Sequence, residues 1–405
     1  MPTTISAPQP QAASSYRLDE SLWRRGRNLL WVVGVAAWAA CLAGWATDRY
    51  NFLGSYLVHF MFFLTIGWGA MFFVMVQHLT SATWSVTLRR LMETIMITVA
   101  PVTLLFLPVA LGLDVLYKWA DPGFFDPHNP DLAFKRAFFN PPFFLIRAVV
   151  YLFVWGVLAF VLYRISVMQD EGDYRESVSN ARTWSAPGLL VLTVTVTMAG
   201  VDWVMSLDPY WYSTIFGVYV FSGGALAFIA LLILAALGLR AAGLLGDVIT
   251  VEHYHDLGKW LFALTVWWAY IAFSQYMLIW YANLPEETAF FHHRAEGSWR
   301  YLSAMLVIGH FLVPFLVLLP RAAKRNLTVL GLAAAWILIM HGMDLHWLIL
   351  PSVHPHGFHL HWLDLATFAG VGSLFGLVFW YRLRSHPMVP VGDLRLPASI
   401  AHQNQ

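Results

Sequence analysis

Two stretches of the sequence repeat one pattern: "MAGVDWVMSLDP" at 198–209 and "MHGMDLHWLILP" at 340–351. Each reads Met-x-Gly-x-Asp, then six residues, then Pro. Asp202 and Asp344 therefore stand in matched places, as do Pro209 and Pro351. Both aspartates lie in apolar surroundings. A carboxylate in hydrocarbon costs about 2.5–3.5 kcal/mol on insertion scales, so it is usually paired, protonated or turned toward water. A carboxyl that gains and loses a proton in that setting can carry protons across an apolar layer. His341 precedes Asp344 by one turn and shares its helical face. Thr195 lies two turns before Asp202 on one face, so a polar file continues from that aspartate.

Further polar groups fall in apolar runs. Glu93 sits early in its run near Thr94 and Thr98, and is a candidate for an inner half-channel. The competing reading pairs it with Arg89 or Arg90. His310 is mid-run, as a proton carrier or a hydrogen-bonded core histidine. Arg147 lies about two turns into its run, where it serves a ligand or neutralises Asp202 or Asp114. His59, near the end of a run, is interfacial or a ligand contact. His59, Arg147 and Asp202, with Trp203 beside them, are also the candidates for holding a ligand. Residue spacing does not choose between that reading and proton transfer. No residue is assigned a catalytic role.

The elements that must position these groups follow from composition. The 405 residues are 59% hydrophobic and 12% charged, about half the charge of a soluble domain. No charged residue occurs between Asp208 and Arg240 or between Arg300 and Arg321. A helix needs roughly 20 apolar residues to cross a ~30 Å hydrocarbon core. The chain reads as an all-α polytopic membrane protein with ten spans, at about 29–47, 52–79, 88–113, 141–165, 186–207, 214–239, 259–281, 300–320, 327–350 and 361–383. Pro187 fits the first turn of the fifth span, after Ser185. The repeat suggests two four-helix bundles, spans 2–5 (about 52–207) and spans 6–9 (about 214–350), flanked by spans 1 and 10. "GWGAMFF" (67–73) and "GGALAF" (223–228) add to the match between spans 2 and 6. The membrane domain covers 29–385, between an N-terminal tail, 1–28, and a C-terminal tail, 386–405.

Seventeen of the 24 Lys and Arg residues fall on the side of both termini and seven on the other. The positive-inside rule then places both termini in the cytoplasm. The near-neutral balance gives no sign of nucleic-acid binding.

One cysteine, Cys41, excludes a disulfide framework or a Cys-ligated cluster within the chain. Bis-His haem needs facing histidines at one depth. His310 and His341 give one such level, and no second is evident. Six of the 16 histidines fall within 340–364. Of these, "HPHGFHLH" (354–361) matches no common zinc spacing. His354, His356, His359 and His361 read as an interfacial or partner-facing turn. No metal ligand is assigned.

"FSQYMLIWYANLPEET" (273–288), "GVDWVMSLDPYWYSTIFG" (200–217) and "MHGMDLHWLILP" resemble the NrfD/PsrC-like membrane subunits. Within these they resemble most the ActF-type subunits of bacterial alternative complex III, a quinol:electron-acceptor oxidoreductase. The resemblance covers nearly the whole chain except its tails. It implies a multi-pass subunit of the bacterial cytoplasmic membrane. Its implied partners are a sister NrfD-like subunit, an iron–sulfur protein and c-type cytochrome subunits, set in the lipid bilayer. Haem c and iron–sulfur clusters would reside in those partners. The ligand in question for this chain is a quinone, menaquinone or ubiquinone. The resemblance implies anchoring and proton conduction coupled to quinol oxidation, with half-channels meeting near Asp202 and Asp344. Direct quinol binding, with His59, Arg147, Asp202 and Trp203 at the head group, and a stand-alone proton-coupled transporter are the rival readings.

Overall fold

The computed structural model describes residues 16–125, 135–355 and 357–404. Among them every regular element is helical, and ten helices are long and apolar enough to cross a membrane. The chain is a multi-pass helical membrane protein. The spans are span 1 Glu20–Thr47, span 2 Arg49–Thr80, span 3 Val86–Leu111, span 4 Pro141–Met168, span 5 Tyr174–Leu207, span 6 Phe216–Ala241, span 7 Val251–Ala282, span 8 Trp299–Leu318, span 9 Leu327–Ser352 and span 10 Trp362–Ser385. The face where span 1 starts and span 10 ends is called the terminal face below.

Span 2 is the hub. Of its apolar window 94% is buried, against 22% for span 1, so span 2 lies in the core and span 1 at the rim. Spans 2, 3, 4 and 5 pack as one group and spans 6, 7, 8 and 9 as another. The groups meet mainly where spans 2 and 6 cross, with span 5 also against span 6 and span 9 against span 2. Glycines permit that crossing: a Cβ on Gly224 would lie 2.6 Å from the Thr65 carbonyl oxygen. Small residues at such crossings let two backbones approach. Spans 1 and 10 pack on each other, and span 10 rests on span 2.

Prolines explain the irregular spans. Span 3 is α-helical over Val86–Met96 and Val99–Val102, turns 3-10 over Thr103–Phe106, and resumes over Leu107–Leu111. Pro101 and Pro108 each lack an N–H and crowd the preceding turn. In span 8 a π-helical turn, Leu306–Leu312, precedes Pro314. The Pro314 ring crowds the carbonyl four residues back, at His310.

Three sequence expectations change. Span 5 starts at Tyr174, where the Asp173 side chain accepts from the Arg175 and Glu176 amides, so Pro187 is inside the helix rather than at its start. Neighbouring helices make an interior proline tolerable in a membrane span. Span 1 starts at Glu20, capped by Asp19, so part of the expected N-terminal tail is helix. The expected C-terminal tail is a packed strap across the terminal face. Met388 donates to the Tyr16 carbonyl, and Gly392 to Asp170. Met388, Val389, Asp393 and Ser399 are buried. Only glycine fits at 392, where a Cβ would meet the Gln169 carbonyl oxygen at 2.1 Å.

Candidate functional site

The two matched aspartates are both buried, and their surroundings differ. Asp202 lies near the end of the span 5 helix. Arg147 of span 4 reaches it with two parallel hydrogen bonds, Nε to Oδ2 at 2.8 Å and Nη2 to Oδ1 at 2.9 Å. The Tyr151 hydroxyl adds a third at 2.9 Å. Arg147 also donates to the Phe138 carbonyl, and its guanidinium lies over the Phe138 and Phe143 rings. A bidentate arginine is the strongest neutralising partner a carboxylate can have. Thr195 accepts from the Trp155 indole at 2.9 Å and donates to the Val191 carbonyl. It is bonded locally, and Tyr151 and Trp155 stack between it and Asp202. Trp203 is buried against Phe60, Phe106 and Trp155. Its carbonyl accepts from the Tyr117 hydroxyl, just after span 3.

Asp344 of span 9 has no such partner. Its Oδ1 accepts from the Tyr219 hydroxyl of span 6 at 2.5 Å, and its Oδ2 from the Trp268 indole of span 7 at 3.1 Å. Both donors are neutral, and Asp344 forms no ion pair among the described residues. His341 and His310 lie close by. Both rings are fully buried. His341 Nε2 is 3.0 Å from Thr65 Oγ1, and the Thr65 hydroxyl donates to the Phe62 carbonyl. That network assigns the His341 hydrogen to Nε2 and leaves Nδ1 as an acceptor. Nδ1 faces Gly223: a Cβ there would sit 3.1 Å from it and 3.5 Å from Asp344 Oδ2. His310, placed by the π turn of span 8, stacks on Trp268 with ring centroids 4.0 Å apart. Neither of its ring nitrogens has a hydrogen-bond partner among the described residues. Span 6 thus contributes Tyr219, and Gly223 whose missing side chain lets His341 and Asp344 pack close, to one buried polar cluster.

Glu93 is fully buried at the terminal end of the first bundle. Arg89 Nε and Arg90 Nε each lie 3.4 Å from it, and the Ser166 hydroxyl donates to it. Arg89 also binds Asp393 of the strap, and Arg90 binds Asp170. With Arg395 also on Asp393, three arginines meet three carboxylates, so Glu93 belongs to a balanced ionic cluster. His59 sits apart from Arg147 and Asp202. Its Nδ1 lies 2.8 Å from the Ser55 carbonyl and 2.9 Å from Thr367 Oγ1, and its ring packs edge-on to His346. His346 Nε2 is 3.7 Å from Asp364 Oδ1. The Phe62 and Phe368 rings stand between this group and His341. In the following turn the His354 and His359 rings pack against each other at a tilt, His361 caps span 10, and His356 lies outside the described residues.

Of the proposed proton carriers, the structure brings together Asp344, His341 and His310. It keeps Asp202 with Arg147, and sets Glu93, Thr195 and His59 elsewhere. Tyr219 and Trp268 were not legible as site residues, because an aromatic in an apolar run looks like ordinary core. Both also line a cavity of about 940 Å³ between spans 7 and 8 and the surface helix Pro285–Ala295. Arg294 of that helix is buried. It donates to the carbonyls of Trp347, Leu348 and Phe290, capping the end of span 9. Arg147 and Arg294 thus serve the two bundles differently, one on a carboxylate and one on a helix end.

The sequence matches no family model, and no curated protein matches it.

Proposed function

We propose that this chain is a non-haem membrane subunit of a quinol:electron-acceptor oxidoreductase of the alternative complex III type, and that its second bundle conducts protons. On this reading it lies in the bacterial cytoplasmic membrane with both termini in the cytoplasm. It anchors an iron–sulfur protein and c-type cytochromes beside a sister NrfD-like subunit. The sequence motifs around Asp202, Asp344 and 273–288 support the family. The ten-span architecture is compatible with it.

The observation that carries the proton role is Asp344. It is a buried carboxyl held by two neutral donors, with two buried histidines around it. Ionising a group there without a countercharge is expensive, so a proton is the readiest means of neutralising it. Asp202 already has its countercharge in Arg147. It is read as a structural ion pair, and so is the Glu93 cluster. Proton transfer is therefore assigned to Asp344, with His341 and His310 as relays.

The class is tested by purifying the chain from its native membrane in mild detergent. Mass spectrometry of the accompanying chains and an absorbance spectrum then decide. Co-purifying c-type haem with an iron–sulfur protein supports the proposal. A chain that purifies alone and moves a solute in vesicles contradicts it.

A further inference from the structure

We propose that the cavity between spans 7 and 8 and the Pro285–Ala295 helix binds one anionic phospholipid. The acyl chain lies along the apolar walls, and the phosphate sits at Arg300 and His292. The cavity shares Tyr219 and Trp268 with the Asp344 site, but lipid binding there does not depend on the proton role.

Shape is the first argument. The cavity follows span 7 from Val266 to Asn283, about 25 Å at 1.5 Å per residue. One leaflet of a ~30 Å hydrocarbon core is about 15 Å deep, so the groove holds an acyl chain and its glycerol. Tyr270, Phe273 and Trp280, on its rim, are 64%, 60% and 65% exposed, so it opens sideways where lipid would be.

Charge is the second argument. The cations gather at one end. Arg300 is exposed and donates to the neutral Tyr301 hydroxyl. Arg294 lies on the wall, and only carbonyl oxygens accept its hydrogen bonds. Burial works against its charge, and Asp208 acts on it without forming an ion pair. Glu286, Glu287 and Glu296 of the same stretch do not line the cavity. A phosphate would supply the missing negative charge.

Chemistry at the deep end is the third. Tyr219 and Trp268 are the polar groups there, and both donors are committed to Asp344. Ser303, on the wall, donates to the Arg294 carbonyl and accepts from Trp347. Apart from the exposed Tyr270 hydroxyl on the rim, this end therefore offers no free donor to a polar ring, and it suits a hydrocarbon tail. A seated chain would close the lipid side of the Tyr219–Asp344 contact.

The test is lipid analysis by native mass spectrometry of the assembled complex after extended detergent washing. Phosphatidylglycerol is then added back as the probe. The wild-type protein should keep one anionic phospholipid at this site. Arg300→Glu should weaken retention about tenfold, Ala269→Trp should abolish it by filling the groove, and Arg300→Lys should keep it. Each variant is first checked for intact assembly by its co-purifying chains. Equal retention in wild type, Arg300→Glu and Ala269→Trp would overturn the proposal. So would a prenyl quinone in place of the phospholipid, or a partner chain cross-linking to Phe273 across the groove.

Discussion

Arg147 grips Asp202 through two parallel hydrogen bonds of 2.8 and 2.9 Å, and no arginine does this for Asp344, the residue in the matched place of the repeat. One motif thus supports two different electrostatic situations. In the first bundle the carboxylate is locked to a fixed cation. In the second it is left to neutral donors. The Asp202 carboxylate has a fixed countercharge, whereas Asp344 has none among the described residues, and on the proposed function it is Asp344 that would exchange a proton.

The Arg147–Asp202 pair should show the cost of a broken buried ion pair. Arg147→Met or Asp202→Leu alone should each destabilise the protein by roughly 3–5 kcal/mol. The double variant should recover most of that loss, since no unpaired charge remains. Thermal unfolding in detergent reads this directly. Additive losses in the double variant would mean that the two residues act independently.

The crossing of spans 2 and 6 makes a second prediction. Gly224→Ala puts a methyl 2.6 Å from the Thr65 carbonyl oxygen. The backbones must separate, and the melting temperature should fall. Gly238 lies on the same helix with nothing within 4 Å of its Cβ position. Gly238→Ala should be neutral or stabilising by up to about 1 kcal/mol, because alanine is the better helix former. The same thermal scan compares both variants with wild type.

The strap supplies a pH prediction. Burial works to raise the Asp393 carboxyl, but the Arg395 hydrogen bond and the Arg89 and Arg395 charges outweigh it and hold it at about 2, against an ordinary 3.8. A carboxyl depressed in the folded state stabilises above its unfolded pKa, and loses that contribution as pH falls through the folded value. The strap should therefore stay docked above about pH 4 and loosen toward pH 2, with roughly 2 kcal/mol at stake. Hydrogen exchange over 386–404 follows this. Asp393→Asn should loosen the strap already at neutral pH, because Arg89 and Arg395 lose the carboxylate they share.

The ten spans were legible because twenty apolar residues in a row admit few other folds. The matched aspartates were legible because the sequence itself repeats. The difference between them was not, since it depends on which residue of a neighbouring helix points inward. Arg147 lies 55 positions from Asp202, and Tyr219 lies 125 from Asp344. Sequence spacing fixes a residue's face on its own helix and says nothing of its neighbour across a bundle. Pro187 misled about where span 5 begins, because a membrane helix tolerates an interior proline. The strap escaped because its anchors, Asp393, Ser399 and Gly392, read as tail chemistry until Arg89, Trp84 and Gln169 are placed beside them.

The most direct measurement is the number of protons translocated per electron by the assembled complex in vesicles carrying Asp344→Asn. Asparagine keeps the size, its Oδ1 can accept from the Trp268 indole while its Nδ2 donates to the Tyr219 oxygen, and it cannot carry a proton. Haem content and subunit composition should stay as in wild type, while the proton-to-electron ratio falls and Asp344→Glu restores it in part. An unchanged ratio in a correctly assembled Asp344→Asn complex would contradict the assignment of proton transfer to the second bundle.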